Sequence, residues 1–273
     1  LQTTYAGAIA NIFYAFGGMT LAVAARAAVA AVDRPDLTLL TVGAQYVRPV
    51  PIGPVTAQVD VVRQGRGATQ ASVELFVGDD ADPDQLAMRV HTTFGAPHDP
   101  QLSFDGAPFP TDVGSPLDWS EPPPLEGDHP FADIPFHHQT DWRPCVDNFD
   151  DWGPDIDRAP GDAVANSWTR LLTEPRADDG GFDLLSLLLY SDAIGGAFGN
   201  AIGGNDPWFV LTLNLDVRLF QRPTTPWVLQ HQRGWRATDG YGTGWTELWG
   251  EDGAFLAVAM QTASMKPMNT PPA

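Results

Sequence analysis

The sequence predicts an α+β protein of two similar units, each a central helix wrapped by an antiparallel sheet, with the two sheets joined into one. Three observations carry that prediction. Ten prolines and few aliphatics fall between Ala96 and Pro135, a composition that cannot hold regular ladders. The chain therefore divides into a first unit at 1–95, a proline-rich linker at 96–139 and a second unit at 140–273. The flanks then repeat one layout, an apolar helix followed by four alternating strands. Finally, the interval from an Arg-Pro pair to a Glu-Leu-aromatic triplet is 26 residues in the first flank, Arg48 to Glu74, and 25 in the second, Arg222 to Glu247.

The elements follow in order. Phe16-Gly17-Gly18 opens an alanine-rich helix that runs to about Val32. The uncharged stretch Leu1–Ala25 has no basic run before it, and Gly17-Gly18 and Arg26 interrupt it. It is expected to be a buried helix and not a targeting or membrane segment. Leu39–Val50 alternates as a strand, and Val55–Arg63 is the next. A turn at Gly65-Arg66-Gly67 leads to a strand reaching Phe76, and Leu86–Phe94 is the last. In the second flank Phe182–Ile194 reads as a leucine-rich helix. The strands Phe209–Phe220, Trp227–Arg236, Gly242–Trp249 and Phe255–Met265 follow, the last two joined by a turn at Glu251-Asp252-Gly253. One such unit leaves a sheet edge uncovered; two units sharing an edge resolve that within one chain.

Composition excludes several function classes. A formal net charge of −19 repels nucleic acid and anionic membranes, so neither is an expected partner. Lys266 is the only lysine. Cys145 is the only cysteine, which excludes an intrachain disulfide and a cysteine-based metal site and favours a reducing compartment such as the cytoplasm. The acid-rich run Val146–Asp157 lacks calcium-loop spacing and a closing glutamate, so it reads as a solvated loop. No metal and no cofactor is expected. The six histidines, at 91, 98, 129, 137, 138 and 231, pair with no Ser or Cys in a nucleophile motif. The second-flank tryptophans 208, 227, 235, 245 and 249 read as core and interface.

Three polar positions stand out in the second flank. Asp192 lies in the apolar segment of the expected helix, where an ionised carboxylate is costly unless it is hydrogen-bonded. The ordinary alternative is a carboxylate leaving the helix end, because Gly195-Gly196 would terminate it. Gln261 sits on the last strand, where an amide can donate and accept, or simply face solvent. On the strand Val210–Arg218, alternation puts Thr212, Asn214, Asp216 and Arg218 on one face. The residues alone do not choose between Thr212, Asn214 and Asp216. The first-flank helix has no acid between Gly17 and Val32, so the units are not chemically equal.

These segments resemble the acyl-CoA thioesterase II (TesB-like) family of double-hotdog proteins, over nearly the whole chain outside the linker. Phe16-Gly17-Gly18 is similar to the family's first-domain entry and Tyr46-Val47-Arg48-Pro49 to its first-strand ending. Tyr190-Ser191-Asp192 resembles the segment bearing the family's catalytic aspartate, and Thr212-Leu213-Asn214 its hydroxyl-bearing strand. Gln261 lies where the family has a catalytic glutamine. There are two departures: Asn214 replaces the family's aspartate, and the spacing from Thr212 to Arg222-Pro223 differs by about one residue.

The resemblance implies hydrolysis of a fatty acyl-CoA to fatty acid and CoA, by a water held between Asp192, Thr212 and Gln261 across a water-sized gap. It also implies a homo-oligomer. Arg63 with Arg66, or Arg233 with Arg236, are the candidate contacts for CoA phosphates, against the ordinary reading of strand-end surface charge. Two alternatives follow from the same scaffold. One is a non-catalytic acyl-CoA-binding double hotdog with a decayed site. The other is an enoyl-CoA hydratase, disfavoured because the position five after Asp192 is Ala197 and not histidine.

Overall fold

The computed structural model describes residues 2–5, 14–98, 102–122, 134–146, 159–203 and 208–268. The first half contains β1 (Gln2–Tyr5), α1 (Gly17–Val32), β2 (Thr38–Tyr46), β3 (Gly53–Gln64), β4 (Ala68–Val77) and β5 (Leu86–Gly95). The second contains β6 (Thr140–Pro144), β7 (Val164–Leu171), α2 (Ser186–Tyr190) and α3 (Gly195–Ile202). It continues with β8 (Trp208–Leu219), β9 (Val228–Thr238), β10 (Tyr241–Gly250) and β11 (Phe255–Pro267). The strands form one eleven-stranded sheet in the order β1-β3-β4-β5-β2-β8-β11-β10-β9-β7-β6. Read outward from the β2–β8 seam, the two halves mirror each other, which is the double-hotdog arrangement. The flanking strands β1, β6 and β7 were not among the eight expected. They cover the outer edges of β3 and β9, which would otherwise present unpaired backbone groups.

The seam is antiparallel, with Gly43 opposite Asp216 at its centre. A Cβ at Gly43 would lie 2.5 Å from Asp216 Oδ1, so the Asp216 side chain lies over the space that this glycine leaves. The halves correspond across that pair. β2 bulges between Leu39 and Thr41 against β5, and β8 bulges between Thr212 and Asn214 against β11, at matching distances from the seam centre. By this register Leu39 in the first half occupies the place of Thr212. Thr92, opposite Val42, occupies the place of Gln261, opposite Leu215.

The apolar face of the sheet packs on the helices. Alanines 24, 25, 27 and 28 of α1 are buried, and their small side chains let the helix lie close to the strands. The helix ends at Asp33, which adopts φ 45° and donates its N–H to Val29 O, with Pro35 following. Its opposite end runs into the second half: a Cβ on Gly18 would sit 2.5 Å from Leu189 O and 2.9 Å from Leu188 O. Backbone-to-backbone approach of α1 and α2 therefore depends on that glycine.

The second-half helix differs from the expectation. It is not continuous over 182–194 but interrupted between α2 and α3, and Gly195-Gly196 start α3 instead of ending a helix. Ser191 Oγ donates to Leu188 O at 2.7 Å, a local bond that competes with helix continuation. The linker's described part, 102–122, is irregular, but it is strapped to the second half. Val113 is buried among Trp168, Trp227, Leu229 and Trp249, and its carbonyl accepts from Trp119 Nε1 at 2.7 Å and Trp168 Nε1 at 2.9 Å. Trp235, by contrast, is 56% exposed. The acid-rich run 147–157 and His129 lie outside the described residues. Among the described residues no helix is long and apolar enough to cross a membrane.

Candidate active site

Where α2 stops, the chain turns across the inner face of β8 and β11, and Asp192 lies in that break. Its Oδ1 accepts from Thr212 Oγ1 at 2.8 Å and from Gln261 Nε2 at 2.7 Å. Gln261 Nε2 also donates to Thr212 Oγ1 at 2.6 Å. The three side chains thus touch one another directly, without the water-sized gap expected between them. Thr212 reaches this face because of the bulge at Leu213. Alternation had placed it with Asn214, Asp216 and Arg218; the extra residue turns Thr212 to the side of Leu215, Val217 and Gln261. Asn214 stays on the opposite face, between Thr262 and Gln45, so the departure at that position does not reach the cluster.

The carboxylate also belongs to the other half of the molecule. Phe16, the N-cap of α1, makes no side-chain capping bond, and the Gly18 N–H donates instead to Asp192. The second half thereby supplies the N-terminal cap of the first half's helix. A Cβ at Gly17 would lie 2.4 Å from Asp192 Oδ2, so the carboxylate fills the space glycine leaves. Burial raises the pKa of Asp192 above the ordinary carboxylate value, opposed by the bonds from Thr212, Gln261 and Gly18. Tyr14 responds in turn: its own burial, and then the nearby Asp192 charge, push its phenol up.

The cluster forms the floor of a cleft of about 260 Å3 between the halves. Tyr14, Phe16, Gly17 and Tyr46 line one wall, and Ala193, Val210, Leu211 and Leu213 the other. Tyr46 donates to Gly17 O at 2.9 Å and so fixes the wall against the start of α1. The cation among the lining residues is Arg48, which is exposed. Arg63, Arg66, Arg233 and Arg236 are all exposed, Arg233 at the middle of β9, and none lines the cleft. Among the described residues no histidine lines it either. Burial pushes the Cys145 thiol up to about 12, which keeps it protonated and unreactive. Among the described residues no three His, Cys, Asp or Glu side chains gather as a metal site.

Sequence reasoning brought Asp192, Thr212 and Gln261 forward but passed over residues that frame them. Arg48 and Tyr46 stood inside the Tyr46-Val47-Arg48-Pro49 segment, and Gly17 inside the helix entry, so their signal was present and assigned only to structure. Two further glutamines, Gln230 and Gln232, are 8% and 5% exposed on the inner face of β9. Polar residues two apart on a strand ordinarily mark a solvent face, which concealed them.

Comparison with known proteins agrees with this architecture. No curated protein matches the chain. Among solved structures, a hot dog-fold protein of unknown function from Alicyclobacillus acidocaldarius is 20% identical, covering 97% of this chain and 92% of that one, with a TM-score of 0.75. The tesB protein of Mycobacterium avium subspecies paratuberculosis is 15% identical, covering 93% and 88%, with a TM-score of 0.69. An acyl-CoA thioesterase II, TesB2, of Mycobacterium marinum is 17% identical, covering 98% and 93%, with a TM-score of 0.68. These likenesses establish the shared fold. Family models match both halves: an acyl-CoA thioesterase N-terminal domain over residues 8–95, and an acyl-CoA thioesterase C-terminal domain over residues 115–265. The chain belongs to the acyl-CoA thioesterase family.

Proposed function

We propose that this protein hydrolyses an acyl-CoA thioester to the free acid and CoA, with Asp192 as general base. The observation that carries the reading is the mutually bonded trio of Asp192, Thr212 and Gln261 at the floor of the cleft between the halves. Thr212 and Gln261 both donate to Oδ1, which fixes the carboxylate plane and leaves Oδ2 to accept a proton from a water entering the cleft. That water attacks the thioester carbonyl, and the tetrahedral intermediate expels the CoA thiolate. Negative charge developing on the carbonyl oxygen is favoured near the N-terminal end of α1, where Phe16 and Gly17 line the cleft. No covalent intermediate is required.

Arg48 at the cleft is the residue we assign to the phosphates of CoA, in place of the four arginines singled out from the sequence. The test is thiol release from a panel of acyl-CoA substrates of graded chain length. Asp192→Asn is expected to lower kcat by about 10²-fold or more, the scale of general-base catalysis. A parent protein that releases no thiol from any member of the panel refutes the assignment. Tight acyl-CoA binding without turnover, unaltered by Asp192→Asn, would establish the non-catalytic alternative instead.

A further inference from the structure

The interruption between α2 and α3 leaves two backbone groups without their helical partners. In a continuous helix Ile194 N–H would donate to Tyr190 O. Here Ile194 N–H donates to Gln261 Oε1 at 3.3 Å, while Tyr190 O accepts from Gln230 Nε2 at 2.8 Å. Two side-chain amides, from β11 and β9, stand in for one helical hydrogen bond, and Asp192 lies in the gap between its ends. At the third residue of α3, Ala197 N–H donates to Gln232 Oε1 at 3.2 Å. A Cβ at Gly196 would lie 2.7 Å from that same oxygen, so the glycine admits the amide to the helix.

We propose that Gln230 and Gln232 are positioning residues that set the place of Asp192 by fastening the chain on either side of it. The proposal rests on the reading of Asp192 as the reacting carboxylate. Gln230 is well suited to the role because its amide has one orientation. Its Oε1 accepts from Ser167 Oγ at 3.1 Å and Thr169 Oγ1 at 2.8 Å, both on β7, which leaves Nε2 to face Tyr190 O. Tyr190 is held a second time, since its hydroxyl accepts the Leu171 N–H at 3.0 Å. An apolar side chain at 230 would suit the greasy inner face equally well for packing. It would, however, leave a buried carbonyl and two hydroxyls unmatched, an arrangement proteins avoid. The chain between Tyr190 and Ile194 would then be free to shift, and the bonds from Thr212, Gln261 and Gly18 to Asp192 would lengthen.

The experiment compares Gln230→Met and Gln232→Met with the parent by two readings. The first is kcat and KM for thiol release. The second is the midpoint of the Asp192 carboxyl titration, followed by carbon NMR and assigned with Asp192→Asn. Tyr14, Tyr46 and Arg48, the other ionisable side chains of the cleft, are unchanged in these variants. The expected result is kcat down by about tenfold or more with KM within about twofold, the pattern of an interaction used in the transition state. The Asp192 midpoint should also move upward as its donors loosen. Leu75→Ala, in the first half's core, is the control: it should lower the melting temperature and leave the Asp192 midpoint in place. If Gln230→Met does not fold, Gln232→Met, which removes a single acceptor, decides by the same readings. A parent inactive on every acyl-CoA defeats the thioesterase reading alone, because the titration needs no turnover. Folded variants with the parent's midpoint overturn the positioning role.

Discussion

Gly17→Ala places one methyl group where the two halves of the molecule meet. The backbone tolerates alanine at the first position of a helix, so the effect is steric. The new Cβ would lie 2.4 Å from Asp192 Oδ2 and 3.5 Å from Tyr46 Cε1, the second an ordinary contact. Relief requires a retreat of about 1 Å by the carboxylate, on a scale where misplacement of a reacting group costs about 10²-fold in rate. Asp192 cannot give that distance freely, because Oδ1 is tied to Thr212 and Gln261 and its backbone is pinned on both sides. In energy the loss corresponds to about 2.7 kcal/mol of transition-state stabilisation. The assay is kcat for thiol release, with the melting temperature measured alongside. Gly199→Ala, in α3, serves as the comparison because no described residue lies within 4 Å of its added Cβ. It should keep parent activity and, as a helix-interior glycine, gain up to about 1 kcal/mol of stability. Parent-like kcat in a folded Gly17→Ala variant would refute the argument, since it would mean the carboxylate has slack where the structure shows none.

Gly18→Ala should act on stability more than on chemistry: its Cβ would press on the backbone of Leu188 and Leu189. Overpacking of this kind costs about 1–3 kcal/mol, read as a lower melting temperature in calorimetry. Asp192→Asn should be inactive yet more stable at neutral pH. With its folded pKa raised, Asp192 keeps its proton in the folded state at pH values where the unfolded chain has lost it. Its contribution to stability is thus present at low pH and is lost as pH rises from the ordinary carboxylate value through the raised one. Melting curves at acidic and neutral pH should show the advantage of Asn only at the higher pH. The same shift predicts that kcat/KM of the parent falls on acidification at a pH above that of a free carboxylate. Arg48→Ala should raise KM for acyl-CoA with little change in kcat, and should weaken the salt dependence of KM.

Much of this architecture was legible because strand alternation is a local property. The strand expected over Phe209–Phe220 is found at Trp208–Leu219, and the one expected over Phe255–Met265 at Phe255–Pro267. What failed was whatever depended on a partner distant in sequence. The backbone groups freed by the break after Tyr190 find their partners in Gln230 and Gln261, far along the chain, so a leucine-rich run read by itself gives one unbroken helix. The face of Thr212 depends on the bulge at Leu213, which an alternation count cannot contain. The strand β7, with Asn166, Ser167 and Thr169, was not among the expected strands. Those hydroxyls are buried against Gln230, a relation invisible until the fold brings residue 167 to residue 230.

The register across the seam also explains why the carboxylate cluster belongs to one half. At the places matching Thr212 and Gln261 the first half carries Leu39, 4% exposed, and Thr92, whose hydroxyl is spent on Ala71 O. No hydroxyl-amide pair exists there to hold a carboxylate, and α1 contributes none. What the first half offers is the complementary part: a helix N-terminus with two glycines narrow enough to admit Asp192 and a free N–H to bind it. A symmetric pair of such units would form two identical sites, each made of one unit's carboxylate and the other's helix end. Duplication within one chain lets the units diverge, so one keeps the acid and the other keeps the cap. The carboxylate and the helix end it caps are therefore constrained together, and on the proposed mechanism a change at Gly17 reaches the reaction although that residue carries no side chain.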